Sequence, residues 1–161
     1  MVGPEDPHGE GAEQRTPYDA TYQHEGDEIS STLEGRHVNI YEDLLVHPAH
    51  ADGLVNKGDP VLAGWSLVGI ALNSASSTND VITIETEGVW YLSVTSNLQG
   101  MGAIWVGDMV YIDPVTAAIG DDFTYPPFGH ALGPVASGAT ELIAVKVHAY
   151  QVLFPWWLFF N

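Results

Sequence analysis

Three features of the sequence predict an all-β fold, most simply a small barrel or sandwich. Short runs of β-branched and aromatic residues are separated by Gly, Pro, Asn, Asp and Ser, which supply turn geometry. Several of these runs recur in the same order, as a degenerate internal repeat. No long amphipathic helix is evident between them. Short strands at regular spacing are typical of small barrels and sandwiches.

Five runs have the period-two alternation or the β-branching that strands require. They are residues 37–41, 81–86, 88–94, 109–112 and 142–147. Turn-forming residues bound each run, so we expect separate short strands.

The internal repeat pairs residues 58–61 with 107–110, 68–72 with 128–132, and 81–84 with 142–145. Each copy has a Gly-Asp turn that enters a strand, a Gly-x-Ala-Leu strand, and then a loop and an alternating strand. Two copies are too few for a solenoid, which needs three or more, but they suit a barrel built from two similar halves. Chance matching is the alternative, because Gly-Asp and Ala-Leu pairs are common.

The two ends of the chain depart from this pattern. We expect three regions: an extended acidic arm over residues 1–36, a β domain over 37–148 and an aromatic tail over 149–161. The arm mixes Gly and Pro with Asp and Glu, so alone it cannot bury enough apolar area to offset its ordering entropy. Another protein chain is the expected partner that orders it.

The tail carries two of the five tryptophans and three of the five phenylalanines. Pro155 interrupts any helix or central strand there. Exposed in water, these side chains would form an apolar patch of the kind that marks an interface. Packing of the tail against its own barrel is the alternative.

The charge balance excludes whole classes of partner. Four Lys and Arg residues stand against 21 Asp and Glu, for a formal net charge of −17. Nucleic-acid binding needs cations to displace phosphate counterions, and an anionic membrane would repel this chain, so we expect neither partner. The negative field favours a basic protein partner. The absence of cysteine excludes disulfides and thiol chemistry.

The sequence offers weak candidates for a chemical site. His47 and His50, with Asp52 nearby, could bind zinc or iron and support a metal-dependent enzyme. Pro48 disfavours a helical pair of histidines, and spacing does not fix Asp52 or any other residue as the third ligand, so a polar turn is the favoured interpretation.

Asp121 and Asp122 could ligate a divalent cation, but a solvated turn is the favoured interpretation. Glu85 and Glu87 would share one face of a sheet and could act as paired carboxylates in acid–base catalysis. An exposed strand end is the favoured interpretation, because Gly88 follows them. We therefore predict no catalytic residue, metal or cofactor.

The predicted functional residues are interface anchors, because interfaces are enriched in tyrosine, tryptophan and arginine. The arm contributes one set and the tail a second. The candidates are Arg15, Tyr18, Tyr22, Arg36, Phe154, Trp156, Trp157, Phe159 and Phe160.

Residues 55–147 resemble a phage-associated family of small β proteins, sometimes labelled recombinase-like, whose members are understood as capsid decoration or cement proteins. The resemblance is carried, in order, by residues 57–61, 68–72, 81–90, 107–113 and 128–136.

The resemblance implies a barrel-like or β-tulip domain that forms a homotrimer, binds the major capsid protein on the outer surface of a phage head and stabilises the shell. It further implies a virion protein assembled in the host cytoplasm. The arm and the tail depart from the family's compact pattern and look like added attachment devices. No recombinase chemistry is visible, because the chain has no phosphate-binding Gly-x-x-x-x-Gly-Lys-Ser/Thr loop.

A second interpretation is a surface-displayed carbohydrate-binding or adhesion module. Trp65, Trp90, Tyr91 and Trp105 could stack on sugar rings, although burial in the core is the simpler account of Trp90.

Overall fold

The computed structural model describes residues 35–96 and 102–148, together with residues 17, 24 and 25. This part of the chain folds into nine β-strands and one short 3₁₀ turn at Glu42–Leu44. The strands are β1 (His37–Tyr41), β2 (Pro60–Ala63), β3 (Leu67–Ala71), β4 (Val81–Glu85), β5 (Gly88–Thr95), β6 (Met109–Ile112), β7 (Ile119–Gly120), β8 (Pro127–Ala131) and β9 (Thr140–Val147). None of its helical segments has the length and apolarity of a membrane span.

The first half of the domain is a curled antiparallel sheet with the strand order β1-β4-β3-β2. Strand β4 joins the two sides of this sheet, since Glu85 lies opposite both His37 of β1 and Ile70 of β3. Val46, which follows the 3₁₀ turn, extends the sheet beyond β2 by an isolated bridge to Leu62.

The second half is a closed barrel with the strand order β5-β7-β6-β8-β9. Pairing of β5 with β9 closes it along the full length of both strands, from Gly88 opposite Val147 to Thr95 opposite Thr140. Closure leaves no exposed strand edge that could pair with another sheet. The all-β prediction is confirmed, and the architecture is a barrel joined to a curled half-barrel sheet.

The internal repeat predicted from the sequence is also confirmed, by matching backbone hydrogen bonds in the two halves. The Gly58 amide donates to the Ala71 carbonyl at 2.8 Å, and the Gly107 amide donates to the Ala131 carbonyl at 2.8 Å. Both glycines have a positive φ, of 93° and 94°, which a side chain would disfavour. The Gly-Asp turns therefore have the same backbone geometry at the start of β2 and at the start of β6.

A second glycine in each half allows two strands to approach closely. A Cβ atom on Gly69 would collide with the Glu85 carbonyl oxygen, and one on Gly129 would collide with the Lys146 carbonyl oxygen. The Gly-x-Ala-Leu pattern therefore marks the crossing of β3 with β4 and of β8 with β9.

Two apolar cores hold the domain together. The larger fills the barrel around Phe128 and also includes Val46, Leu62 and Ile70 of the first half, so the two halves share it. Complete burial of a side chain such as Phe128 contributes roughly 1.5–3 kcal/mol. The smaller core lies within the curled sheet. It comprises Leu45, Val55, Val61, Ala71, Ile82 and Ile84.

Candidate functional site

Arg36 is the predicted interface residue that falls within the described part of the chain. Its Nε atom lies 3.3 Å from Oε1 of Glu85, and the other carboxylate oxygen of Glu85 lies 2.5 Å from Nε2 of His37. The Thr86 amide and hydroxyl both donate to the Arg36 carbonyl, at 2.9 and 2.8 Å. These contacts fasten the start of the β domain to the connection between β4 and β5.

The other predicted interface residues lie outside the described residues, so their roles stay predictions. They are Arg15, Tyr18, Tyr22, Phe154, Trp156, Trp157, Phe159 and Phe160.

Glu85 corrects one expectation from the sequence. An exposed strand end was expected, but Glu85 is buried beneath Arg36 and His37 and serves as the shared partner of both. Glu87 points elsewhere, since its Oε1 atom lies 4.0 Å from Nδ1 of the half-exposed His148. The two carboxylates therefore do not form an acid–base pair.

The histidine cluster provides a structural contact in place of the proposed metal site. His47 is fully buried, and its Nε2 atom donates to Oε1 of Glu42 at 2.8 Å, because a carboxylate only accepts. The His50 ring packs edge-on against it, with centroids 5.9 Å apart. The described residues contain no group of three side chains arranged to hold a metal ion. A turn forms over residues 48–52, as expected, but His47 immediately before it belongs to the interior.

Asp122 is likewise a structural residue. Its Oδ1 atom accepts hydrogen bonds from the Thr124 amide at 2.9 Å and from the Thr124 hydroxyl at 2.5 Å, and the side chain is buried. The expected solvated turn is wrong for this residue, because the carboxylate organises the loop from within.

The four aromatic residues proposed to stack on sugars do not form one platform. Trp90 packs against the barrel core and donates its indole N–H to the Glu87 carbonyl at 3.0 Å, as the simpler interpretation predicts. Tyr91 and Trp105 are exposed but line different clefts, and Trp65 lies in the β2–β3 turn. These four residues therefore do not provide the shared stacking surface that the carbohydrate-binding interpretation requires.

The outer face of β5 and β9 forms an exposed apolar wall. Val89, Tyr91 and Leu142 are 58%, 77% and 68% exposed. The register places Tyr91 opposite Ala144 and Leu142 opposite Ser93, so these residues share the outer face. We call this surface the barrel wall. The same face carries Ser93 and, opposite Val89, Lys146, so the uncharged part of the wall lies around Tyr91 and Leu142. Exposed apolar side chains grouped in this way mark an interaction site.

A groove of about 440 Å³ runs beside the barrel wall. It is bordered by Pro48, Gly58 and Pro60 of the first half and by Tyr91 and Leu142 of the barrel. None of its lining residues is charged, although the chain carries 21 acidic residues. Desolvation of this surface by a partner would therefore bury no charge, which favours tight contact.

A second cleft, of about 350 Å³, opens on the β6 side of the barrel. Trp105, Tyr111 and Phe123 line it together with the carboxylates of Asp108 and Asp121. We call this the aromatic cleft. Burial, and then the negative charge of Asp108, raise the pKa of Tyr111. The cleft therefore combines aromatic surface with negative potential.

Sequence reasoning named Tyr91 and Trp105 but missed Leu142 and Phe123. The signal for Leu142 was present, because it alternates with Ile143 and Val145, which fill the barrel, and must therefore point outward. Phe123 lies in the loop between β7 and β8, where no periodicity indicates its direction.

Comparison with known protein families gives a match over most of the β domain. A family described as phage cement protein matches residues 40–147, about two thirds of the chain, while the searches of curated proteins and of solved structures found no significant match. The match supports the cement resemblance and gives no support to the recombinase label. It spans all of the curled sheet except the start of β1, and the whole barrel. The chain therefore belongs to the phage cement protein family, whose members are structural proteins of the phage capsid.

Proposed function

We propose that this protein decorates the outer surface of a phage head as a homotrimer, binds the major capsid protein and stabilises the shell. The barrel wall is the observation that carries the proposal. In a chain with a net charge of −17, the uncharged groove and its exposed Tyr91 and Leu142 provide a surface that a protein partner can desolvate. The same net charge opposes a role against the packaged nucleic acid.

Stabilisation of the shell follows from mass action. A protein that binds assembled subunits and not separated ones lowers the free energy of the assembled state. A trimer makes three linked contacts, and linkage raises the apparent affinity well above that of one contact. A stable contact buries about 800 Å² on each partner. In this proposal, segments outside the barrel wall contribute part of that area.

The arm, residues 1–36, and the tail, residues 149–161, are the proposed source of that area. The arm offers Arg15, Tyr18 and Tyr22, and the tail offers the aromatic anchors between Phe154 and Phe160. Aromatic and arginine side chains dominate the binding energy of interfaces, where they fill well-packed and desolvated pockets. In this proposal the barrel wall joins protomers, while the arm and the tail reach the shell or neighbouring trimers.

The test combines light scattering with capsid binding, for the full-length protein and for the substitution Leu142→Asp. We expect the unmodified protein to be a trimer that saturates undecorated capsids, and Leu142→Asp to be monomeric with much weaker occupancy, because it places a charge in the uncharged groove beside the barrel wall. Trp65→Ser is the matched control, since Trp65 is 53% exposed but is not among the residues that line either cleft.

Two further outcomes would contradict the proposal. A Leu142→Asp protein that remains trimeric and occupies capsids normally would remove the role of the barrel wall. A chain lacking residues 1–35 that fills capsids as well as the full-length protein would remove the role of the arm.

A further inference from the structure

The aromatic cleft has features that the fold does not require. The internal repeat supplies the comparison, because Asn56 and Lys57 occupy the same turn positions in the first half as Trp105 and Val106 in the second. The Asn56 amide donates to Oδ2 of Asp59 at 2.9 Å, and the Trp105 amide donates to Oδ2 of Asp108 at 2.8 Å. The same turn thus forms with polar residues, so its geometry does not explain the tryptophan.

The apolar side chains of this region are also exposed. Trp105 is 67% exposed, Val106 63% and Phe123 60%. Exposed aromatic surface is unfavourable in water unless a ligand covers it. None of these three side chains belongs to the barrel core, so the stability of the fold does not explain why they are apolar.

The charge around the cleft indicates the chemistry of its ligand. Asp108 and Asp121 line it beside the aromatic rings, and no cationic residue is among the lining residues. Aromatic faces attract cations through the ring quadrupole, most strongly for tryptophan, and nearby carboxylates add Coulombic attraction. The guanidinium group of arginine satisfies both, because it stacks on rings and forms paired hydrogen bonds with carboxylates.

We propose that the aromatic cleft is a socket for an arginine side chain of the shell protein. This inference rests on the proposed function and specifies the chemistry of its partner. The arginine stacks against Trp105, and the carboxylates of Asp108 and Asp121 neutralise it. Neutral sugars would gain the stacking but not the charge attraction, so they fit the cleft less well.

The first experiment needs no capsid. The protein is titrated with Nα-acetyl-arginine amide, and the five tryptophan indole N–H signals are followed by NMR, with Trp105 assigned from Trp105→Ala. We expect saturable, millimolar binding that shifts the Trp105 signal and weakens with salt. Nα-acetyl-citrulline amide, a neutral molecule of nearly the same shape, is the matched probe and should cause no saturable shift.

Substitutions locate the binding. Trp105→Ala should weaken arginine binding on the order of tenfold, the size of a cation–π contact, while Trp65→Ala leaves it unchanged. Equal responses to the arginine and citrulline probes, or a Trp105 signal that shifts with oligosaccharides and not with arginine, would overturn the proposal. Unchanged unfolding midpoints for both variants ensure that a loss of binding is not a loss of fold.

Capsid binding separates this inference from the proposed function. With undecorated capsids, Trp105→Ala should lower the affinity, and Trp65→Ala should not. If Trp105→Ala fills capsids with the affinity of the unmodified protein, the socket is overturned and the decoration function stands. If the unmodified protein itself does not bind capsids, the decoration function fails, and with it the shell as the source of the arginine.

Discussion

The buried contact between Glu42 and His47 gives the sharpest test of how the first half is held together. The two side chains are 4% and 0% exposed, and the Nε2–Oε1 distance is 2.8 Å. The substitution His47→Phe keeps the ring volume but leaves the Glu42 carboxylate buried without its donor. Removal of one partner from a buried pair costs about 3–5 kcal/mol. That is a large fraction of the roughly 5–15 kcal/mol that stabilises a domain.

Substitution of the other partner, Glu42, is expected to lower the free energy of unfolding by less. Glu42→Leu leaves a buried imidazole, whose Nδ1 atom already has no hydrogen-bond partner in the described structure, and a buried hydrogen-bonding group without a partner costs about 1–3 kcal/mol. The double substitution removes both polar groups from the interior. It should be close to neutral, because apolar side chains of similar volume often replace a buried pair without loss.

Chemical denaturation followed by circular dichroism measures these differences. The matched control is the exposed pair of Glu87 and His148, whose atoms lie 4.0 Å apart with side chains 40% and 45% exposed. Glu87→Gln should change the free energy of unfolding by only about 0–1 kcal/mol. The reasoning would be refuted if His47→Phe cost no more than this control, or if the double variant cost the sum of the two single ones.

Two further predictions concern the turns and crossings of the fold. Gly129→Ala places a methyl group against the Lys146 carbonyl, so the strands must shift, and the free energy of unfolding should fall by about 1–3 kcal/mol; an unchanged denaturation midpoint would contradict the close crossing. Hydrogen bonds from the Ser76 and Ser77 amides hold the pKa of Asp80 below its ordinary value. The stability that the Asp80 carboxylate contributes is therefore complete above the ordinary aspartate pKa and is lost as the pH falls through the lowered pKa of the folded protein. The stability difference between the unmodified protein and Asp80→Asn should narrow in acid, and a difference that stays constant with pH would exclude this role.

Strand identity was predictable because it depends on local pattern. Alternation over residues 142–147 indicated β9, which begins two residues earlier, at Thr140, and the turn residues that bound the other predicted runs located their ends to within one residue. The repeat was predictable for the same reason, since each Gly-Asp turn requires a glycine with positive φ. Strand β7 was not predictable, because two residues have no periodicity and its pairing with β5 and β6 is decided by barrel closure.

The site residues divide in a similar way. Exposure of Leu142 follows from the alternation of β9, whereas burial of Glu85 does not follow from its place before Gly88. Arg36 and His37 are 49 and 48 residues away from Glu85 in sequence, and only the pairing of β1 with β4 brings them to it. The same holds for Phe123 and Trp105, which meet at one cleft from different loops.

The sequence alone determined the all-β class, the two similar halves, the exclusion of thiol chemistry and the charge that disfavours nucleic acid. These properties depend on composition and on short-range periodicity, which need no knowledge of distant neighbours. The tertiary structure decided which histidine and which carboxylates are internal, and which aromatic residues face solvent. Burial is a property of the packed chain, since a polar residue becomes internal only when a partner distant in sequence satisfies its hydrogen bonds.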